Sequence, residues 1–204
     1  MKTTASILAI ALGLAVSAGA AQAQSLDNSQ RNNANIRAQL NATVQDVTAD
    51  VALTSAAIAN SFTAEGSSLA TLNNYQNFWG DARSDLSASI SAVQGDVAAT
   101  SAAIANSASI EGDWVGVLNN TQLAAYDPTA TLNATIGNVG GDVAATSAAL
   151  SNSASIDADF GRLASSQINQ AGVTATMSAT VRDVRGSVNA TAAAIGNSLT
   201  VTGF

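Results

Sequence analysis

The chain has 204 residues and a net charge of −7, with 14 acidic side chains, no histidine, no cysteine and a single lysine, Lys2. These counts exclude the usual general base, the thiolate nucleophile, the Schiff-base amine and the soft metal ligands, so catalysis could rest only on carboxylates or hydroxyls. The acidic balance also argues against nucleic acid or an anionic membrane surface as a partner. We therefore expect a protein that is not an enzyme and that holds no cofactor and no metal ion.

The N-terminal segment has the three zones of a secretory signal. Lys2 gives the positive start, Ile7 to Val16 form an apolar stretch, and Ala21 to Ala23 form a cleavage site of the A-x-A type. The apolar stretch is too short to span a bilayer and no stop-transfer charges follow it, so we expect no membrane insertion. The sequence predicts a signal peptide at 1–23 and a secreted or cell-surface domain at 24–204, exported across the inner membrane of a Gram-negative bacterium.

The mature part consists of four similar units. The best-matching stretches begin at residues 49, 95, 141 and 186, and they read ADVALTSAAIANSFTAEG, GDVAATSAAIANSASIEG, GDVAATSAALSNSASIDA and GSVNATAAAIGNSLTVTG. Their offsets are 46, 46 and 45 residues. We place the units at about 24–66, 67–112, 113–158 and 159–204. They fill the mature chain as a single repeat domain and leave no room for a separate catalytic domain.

Two periodicities compete within each unit. Apolar positions of the first unit follow a heptad-like spacing at Leu40, Val44, Val47, Val51, Thr54 and Ile58. That spacing favours an amphipathic helix or a coiled coil. Alternation by two accounts for more residues, and it puts Thr54, Ala56, Ile58, Asn60, Phe62 and Ala64 on one face of a strand.

Glycines decide between the two interpretations. Gly95, Gly141 and Gly186 share one repeat position, where each would cost about 0.5 to 1 kcal/mol inside a helix. A tight turn between strands favours the same residues, and the aspartates that follow two of them suit a turn. The sequence therefore predicts an all-β protein, a β-solenoid of four repeats of about 46 residues. An α-helical repeat or coiled coil stays the alternative.

Stacked units would place each residue beside its equivalent in the next unit, about 4.8 Å away. An apolar ladder is predicted inside, formed by Ile58, Ile104, Leu150 and Ile195. Two amide ladders are predicted, one of Asn60, Asn106, Asn152 and Asn197 and one of Gln30, Gln76, Gln122 and Gln167. A stacked amide can donate to the carbonyl oxygen of the next, so a buried ladder satisfies itself. The alternative for the asparagines is a turn at the end of a strand.

Other recurrent residues suggest weaker sites. Asp50, Asp96 and Asp142 recur at one position, where we expect turn capping rather than a calcium site because the glycine-rich calcium-binding repeat is missing. A file of threonines could face ice, at Thr54, Thr100, Thr146 and Thr191. Four aromatic residues are candidate sugar contacts, with local packing under a loop as the alternative: Tyr75, Trp79, Trp114 and Tyr126.

Short elements within the units resemble a known family. Residues 72–76, LNNYQ, look like the Leu-x-x-x-Gln opening of a curlin repeat, and residues 106–110, NSASI, are similar to its Asn-x-Ala element. On these residues the chain resembles secreted curli-type amyloid subunits and the holdfast-anchoring, curli-like proteins of stalked bacteria. Curlin repeats have a glycine two residues after the first glutamine, and this position is occupied here by Asn32, Phe78, Ala124 and Asn169. The resemblance implies a β-solenoid fold and an extracellular fibre or adhesive role, and it assigns no site residue.

The combined interpretation is a secreted structural protein. It either forms a curli-like fibre, which would be a functional amyloid, or anchors an adhesive layer in a biofilm or in cell attachment. Its expected partner is itself, as a homo-oligomer or fibre, with a polysaccharide or a cell-surface protein as further candidates. One alternative is a soluble β-solenoid that binds polysaccharide or ice through a flat face. Another is a periplasmic helical spacer.

Overall fold

The computed structural model describes residues 6–9, 14–17 and 25–203. All regular structure in these ranges is β: β1 Ser6–Ala9, β2 Leu14–Ser17, β3 Ser25–Asn32, β4 Ile36–Val47, β5 Val51–Phe78, β6 Ala82–Val93, β7 Val97–Ala124, β8 Thr129–Val139, β9 Val143–Asn169, β10 Thr174–Val184 and β11 Val188–Thr202. The expected all-β class is confirmed. The helical alternative, and with it the helical spacer, is wrong for these ranges, which contain no helix of a length and hydropathy that would cross a membrane.

Every strand pairing is parallel, and the strands form two sheets. The large sheet has seven strands, with β5, β7, β9 and β11 side by side and the short strands β1, β2 and β3 along β5. The small sheet has the order β10-β8-β6-β4. Each strand lies beside its equivalent from the next unit, since Val51 pairs with Val97 and Val97 with Val143, both at an offset of 46 residues. The sequence repeat is therefore also the pairing register.

The single-residue change in the repeat length lies at a β-bulge. Gly112 pairs with Ala158, whereas Trp114 pairs with Asp159, so Asp113 is the extra residue in its strand. A bulge of this kind absorbs one residue without moving the flanking ladder out of register. From that point onward the offset is 45 residues, and Val188 pairs with Val143.

The heptad-like spacing has a physical explanation in a β-structure. Leu40 and Val44 lie on the same face of β4 through simple alternation. Asp46 then adopts a left-handed conformation with φ of 55°, which shifts the alternation by one residue and turns Val47 to the same side. A short turn brings Val51 back to that core. Alternation, a left-handed residue and a turn together imitate the 4-3-4 spacing of a helix.

A second shift in alternation makes the predicted face of β5 wrong over the first part of the strand. The ladder skips Ala59 and Ala105, since Ile58 pairs with Ile104 and Asn60 with Asn106. Before the skip the buried side chains are Val51, Leu53, Ser55 and Ala57, and after it they are Asn60, Phe62 and Ala64. The predicted face is therefore correct from residue 60 onward and wrong before it, where Thr54, Ala56 and Ile58 are only half-buried.

The core comprises three clusters that run through successive units. One joins the small sheet to the first part of the long strands, with Leu86, Ile90 and Val97 among its members. A second joins the two halves of the long strands, as Phe62 and Leu72 do. The third is built mainly of alanine around Phe78. Small core residues keep the chain segments of each unit close together, so much of the stabilisation falls to the backbone ladders between units.

Two short strands precede the first unit. β1 pairs with β5 from Ser6 beside Ala52, and β2 pairs with β5 from Leu14 beside Phe62. Both therefore lie along the N-terminal edge of the large sheet. The predicted cleavage site at 21–23 lies outside the described residues, so the signal peptide stays a prediction.

Candidate functional site

The asparagines that directly follow the skipped ladder position form a hydrogen-bonded column. The amide of Asn60 donates to Asn106 Oδ1, that of Asn106 to Asn152, and that of Asn152 to Asn197, each over 2.8 Å. Asn106 and Asn152 are fully buried. Each of these two also donates to a backbone carbonyl on the facing half of the long strands, at Leu123 and Ile168. The column therefore ties neighbouring units together and holds the two halves of each long strand against one another.

The glutamines form a second column, which runs in the opposite direction. The amide of Gln167 donates to Gln122 Oε1 over 2.7 Å, that of Gln122 to Gln76 over 2.8 Å, and that of Gln76 to Gln30 over 3.1 Å. Each amide also donates to the backbone carbonyl of the serine that follows an asparagine of the first column, such as Ser107 for Gln76. Donors point towards the C-terminal unit in the asparagine column and towards the N-terminal unit in the glutamine column.

Sequence reasoning missed a third amide column and a buried serine cluster. Asn28, Asn74 and Asn120 donate in turn along the stack, over 2.6 and 2.7 Å, and Asn120 then donates to the hydroxyl of Ser165. The signal was an asparagine recurring in three units. The serines lie between the two sheets, where the Ser84 hydroxyl is 3.0 Å from Ser55 Oγ and 2.9 Å from Ser101 Oγ.

The recurrent aspartates lie in the turns between the small sheet and the large sheet, and each one caps the equivalent turn of the next unit. Asp50 Oδ1 accepts from the backbone of Asp96 over 2.9 Å, and Asp96 Oδ1 accepts from the backbone of Asp142 over 2.8 Å. The neighbouring glycines allow this close stacking, since a Cβ on Gly141 would lie 2.8 Å from the carbonyl group of Gly95. No group of acidic side chains placed to hold a metal ion occurs in the described part of the chain.

The predicted apolar ladder lies on the outer side of the long strands. Ile58 stacks on Ile104, Ile104 on Leu150 and Leu150 on Ile195. Their side chains are half-buried, and that of Ile195 is 38% exposed, because the shift at Ala59 follows them. The interior position is filled instead by alanines such as Ala57 and Ala103. The threonine file that begins at Thr54 shares the outer side of the strand, also half-buried in the inner units.

The aromatic candidates fall in three places. Trp79 and Tyr126 meet edge to face, with ring centroids 6.5 Å apart, at the turn after the long strands, and both are about half exposed, at 47% and 49%. Trp114 is equally exposed but lies beside the bulge in β7. Tyr75 is half-buried under the guanidinium of Arg31, which lies 5.5 Å from its ring centroid. Of the four, the structure brings only Trp79 and Tyr126 together.

A polar groove follows the turns on the side of the small sheet. Its volume is about 1040 Å³, and left-handed residues recur along it once per unit, at Asp46, Ala92, Asn138 and Asp183. At the other end of the small-sheet strands, Asp85 pairs with the exposed Arg37 and Arg83 over 3.2 and 2.9 Å. The hydrogen bond to Asp85 raises the pKa of Arg83. Such exposed pairs contribute little to stability.

Both ends of the stack are open along the small sheet. β4 pairs with β6 alone and β10 with β8 alone, so each has one free edge over the described residues. In the fourth unit, core positions of the large sheet also lose their cover, and Val188 is 49% and Leu199 46% exposed. Over the described residues, the features exposed for contact with a partner include these ends, where the amide columns also end, and the aromatic pair.

A family model for holdfast attachment protein D, HfaD, matches residues 1–204, the whole chain. The chain belongs to the HfaD family. Membership confirms the holdfast-anchoring part of the resemblance drawn from the sequence. It implies a structural part in holdfast attachment, an exported or cell-surface location and association with holdfast components at the cell surface. No curated protein and no solved structure shows a significant match to the chain.

A repeat array holds its shape through contacts between neighbouring repeats. The columns at Asn106 and Gln122 lie at those contacts and are fully buried.

Proposed function

We propose that the four units wind as successive coils of one β-solenoid, and that this rod serves as an exported anchor of the holdfast at the cell surface. The observation that carries the proposal is the in-register parallel pairing of whole units, from Val51 beside Val97 to Val143 beside Val188. Parallel strands of one sheet joined by long connections fit a chain that climbs one layer per repeat. The unit boundaries at about 66, 112 and 158 then separate the coils.

The buried columns suit an anchor because they make each layer depend on its neighbours. Asn106 and Gln122 each hold two hydrogen bonds to the equivalent side chains of adjacent units, and each also donates to a backbone carbonyl, at Leu123 and Ser153. Pulling two units apart leaves buried amides without partners, which costs about 1 to 3 kcal/mol for each such group. Rupture of the rod is therefore cooperative across the stack.

Loss of the columns tests the anchoring role in cells. The host bacterium would carry Asn106→Ala with Gln122→Ala, and Thr43→Ala would serve as the control because Thr43 lies on the exposed face of β4. The measurement is the fraction of cells that shed their holdfast under defined flow, with the surface amount of the protein quantified by labelling intact cells. We expect more shedding at an equal surface amount. Unchanged holdfast retention in cells that lack the chain altogether would contradict the proposal.

A second candidate function, sugar binding, is favoured by the aromatic pair. Trp79 and Tyr126 expose half of each ring beside Asp81 and Asp127, and such rings stack on sugars. Binding of a soluble glucan oligomer, measured by isothermal titration calorimetry, should disappear in Trp79→Ala with Tyr126→Ala and persist in Trp114→Ala. Binding that is lost only in the Trp114 variant would point to a different surface.

A further inference from the structure

The free edges of the small sheet have few of the features that usually keep an edge strand single, since each strand carries only one arginine and one aspartate. β4 has 12 residues and β10 has 11, and neither contains a proline or a lysine. Native proteins protect exposed edges by shortening them, by charging them with lysine or by interrupting them with proline. Two long parallel edges, one at each end of the stack, are therefore left able to pair.

The core opens at the same two ends. Leu86 and Leu132 of the inner strands are fully buried, whereas Leu40 of β4 and Met177 of β10, which occupy the same repeat position, are only half-buried. The contrast repeats at the positions of Val44 and Val181. Each end thus exposes part of an apolar column that a further unit would cover.

The amide columns make the two ends complementary. At the C-terminal end, Asn197 has a spare N–H and Gln167 Oε1 lacks a donor, while at the N-terminal end Asn60 Oδ1 lacks a donor and Gln30 has a spare N–H, counting only partners among the described residues. A donor at one end therefore matches an acceptor at the other in both columns. Asn197 follows Gln167 by 30 residues, and Asn60 follows Gln30 by 30 as well.

We infer that the C-terminal unit of one copy binds the N-terminal unit of a second copy and continues the repeat register across the join. β10 then pairs with β4 of the second copy, Asn197 donates to Asn60 of that copy, and Gln30 of that copy donates to Gln167. The inference rests on the proposed winding of the units into one rod. The assembly is polar, because two C-terminal ends brought together would run their strands antiparallel and lose the stacking of like residues.

Two local features affect the join. β1 and β2 lie along β5 at Ala52 to Ser55 and Phe62 to Glu65, where strand β11 of another copy would pair. The test therefore uses the protein recovered after export, with its N-terminus determined. Ala49 also stands where later units have glycine, and a Cβ at that position of an inner unit lies too close to the preceding turn. The join fits less well there than the stacking within the chain.

Cysteine cross-linking tests both the polarity and the register of the join. The chain has no cysteine, and Thr43, Ser89, Thr135 and Thr180 form one exposed file across the small sheet. Neighbouring strands lie about 4.8 Å apart, within the range that a disulfide bridges. Oxidised Thr43→Cys with Thr180→Cys should give a ladder of covalent dimers, trimers and longer chains that reduction removes. The pair Thr43→Cys with Ser178→Cys, two residues out of register, should give none.

Three controls assign each outcome. Thr135→Cys with Thr180→Cys joins neighbouring strands of one chain, so it should close within the monomer and show that the fold and the chemistry are intact. If it closes while the Thr43 and Thr180 pair gives no ladder, the join is wrong and the proposed rod stands. If it fails to close, the rod itself is wrong. Abundant dimer from Thr180→Cys alone would overturn the polarity, and Ala49→Gly should strengthen the ladder, whereas a weaker ladder would contradict the register.

Discussion

The inner units and the fourth unit share a sequence pattern but differ in burial. Val143 in the third unit is 1% exposed, whereas Val188, its equivalent in the fourth, is 49% exposed. Ala154 is 2% exposed, whereas Leu199, which pairs with it, is 46% exposed. The difference lies in the neighbour and not in the residue, because burial in this fold is completed by the next unit. Stability is therefore a property of pairs of units, and the terminal units, which have a neighbour on one side only, should be the least stable part of the stack.

Replacing equivalent leucines of an inner and a terminal strand by alanine should give the largest difference in stability between the two positions. Leu86→Ala removes a side chain that is 1% exposed, which costs about 2 to 5 kcal/mol of unfolding free energy. Leu40→Ala removes a half-buried side chain from the edge strand and should cost less than half as much. Urea unfolding followed by circular dichroism measures both. Equal losses would show that the first unit is covered as fully as the second.

The amide column should show the same contrast at a comparable scale. Asn106→Ala leaves the amide of Asn60 without its acceptor and Asn152 Oδ1 without its donor, and we expect a loss of about 1 to 3 kcal/mol for each group left buried and unpaired. Asn197→Ala, at the exposed end, should cost well under half of that. The melting temperatures of the two variants provide the check. A larger loss at Asn197 would contradict the account of the column.

The turn glycines should have the smallest effect of the three. A methyl group on Gly141 meets the turn of the preceding unit, 2.8 Å from the carbonyl group of Gly95, so Gly141→Ala should cost about 1 to 3 kcal/mol through forced displacement. Among the described residues no preceding unit lies beneath Ala49, and Ala49→Gly in the monomer should change the melting temperature little. Thermal unfolding at low protein concentration separates the two. An unchanged melting temperature in Gly141→Ala would mean that the turns of successive units are not in close contact.

The sequence was sufficient to predict the register, because nearly identical segments 46 residues apart can pair in parallel only by lying like on like. It was sufficient to predict strands, because glycine at a fixed repeat position favours a turn and disfavours a helix. The recurrence of Asn60 and of Gln30 pointed to columns, and the structure contains the corresponding hydrogen bonds. Their opposite directions depend on amide orientation, which no sequence pattern encodes.

The two shifts in alternation could not be predicted, because no residue type marks the positions where they occur. The left-handed residue of each unit is Asp46, Ala92, Asn138 or Asp183, so no glycine marks it. The skip at Ala59 lies in an alanine-rich segment, where either face would suit a small core. As a result Ile58 was expected inside and lies on the outer side, half-buried. Contacts between distant segments, such as Ser84 with Ser55, determine which face turns inward.

The stacking of equivalent residues is the claim on which the rest depends, and spin labels test it directly. Nitroxides at Ser89 and Thr135 lie on paired residues of neighbouring strands, so their spectrum should show strong dipolar broadening in dilute monomer. Nitroxides at Thr43 and Thr180 lie at opposite edges of the small sheet, three strand spacings of about 4.8 Å apart, and should show much weaker broadening under the same conditions. A sharp spectrum from the Ser89 and Thr135 pair would contradict the account.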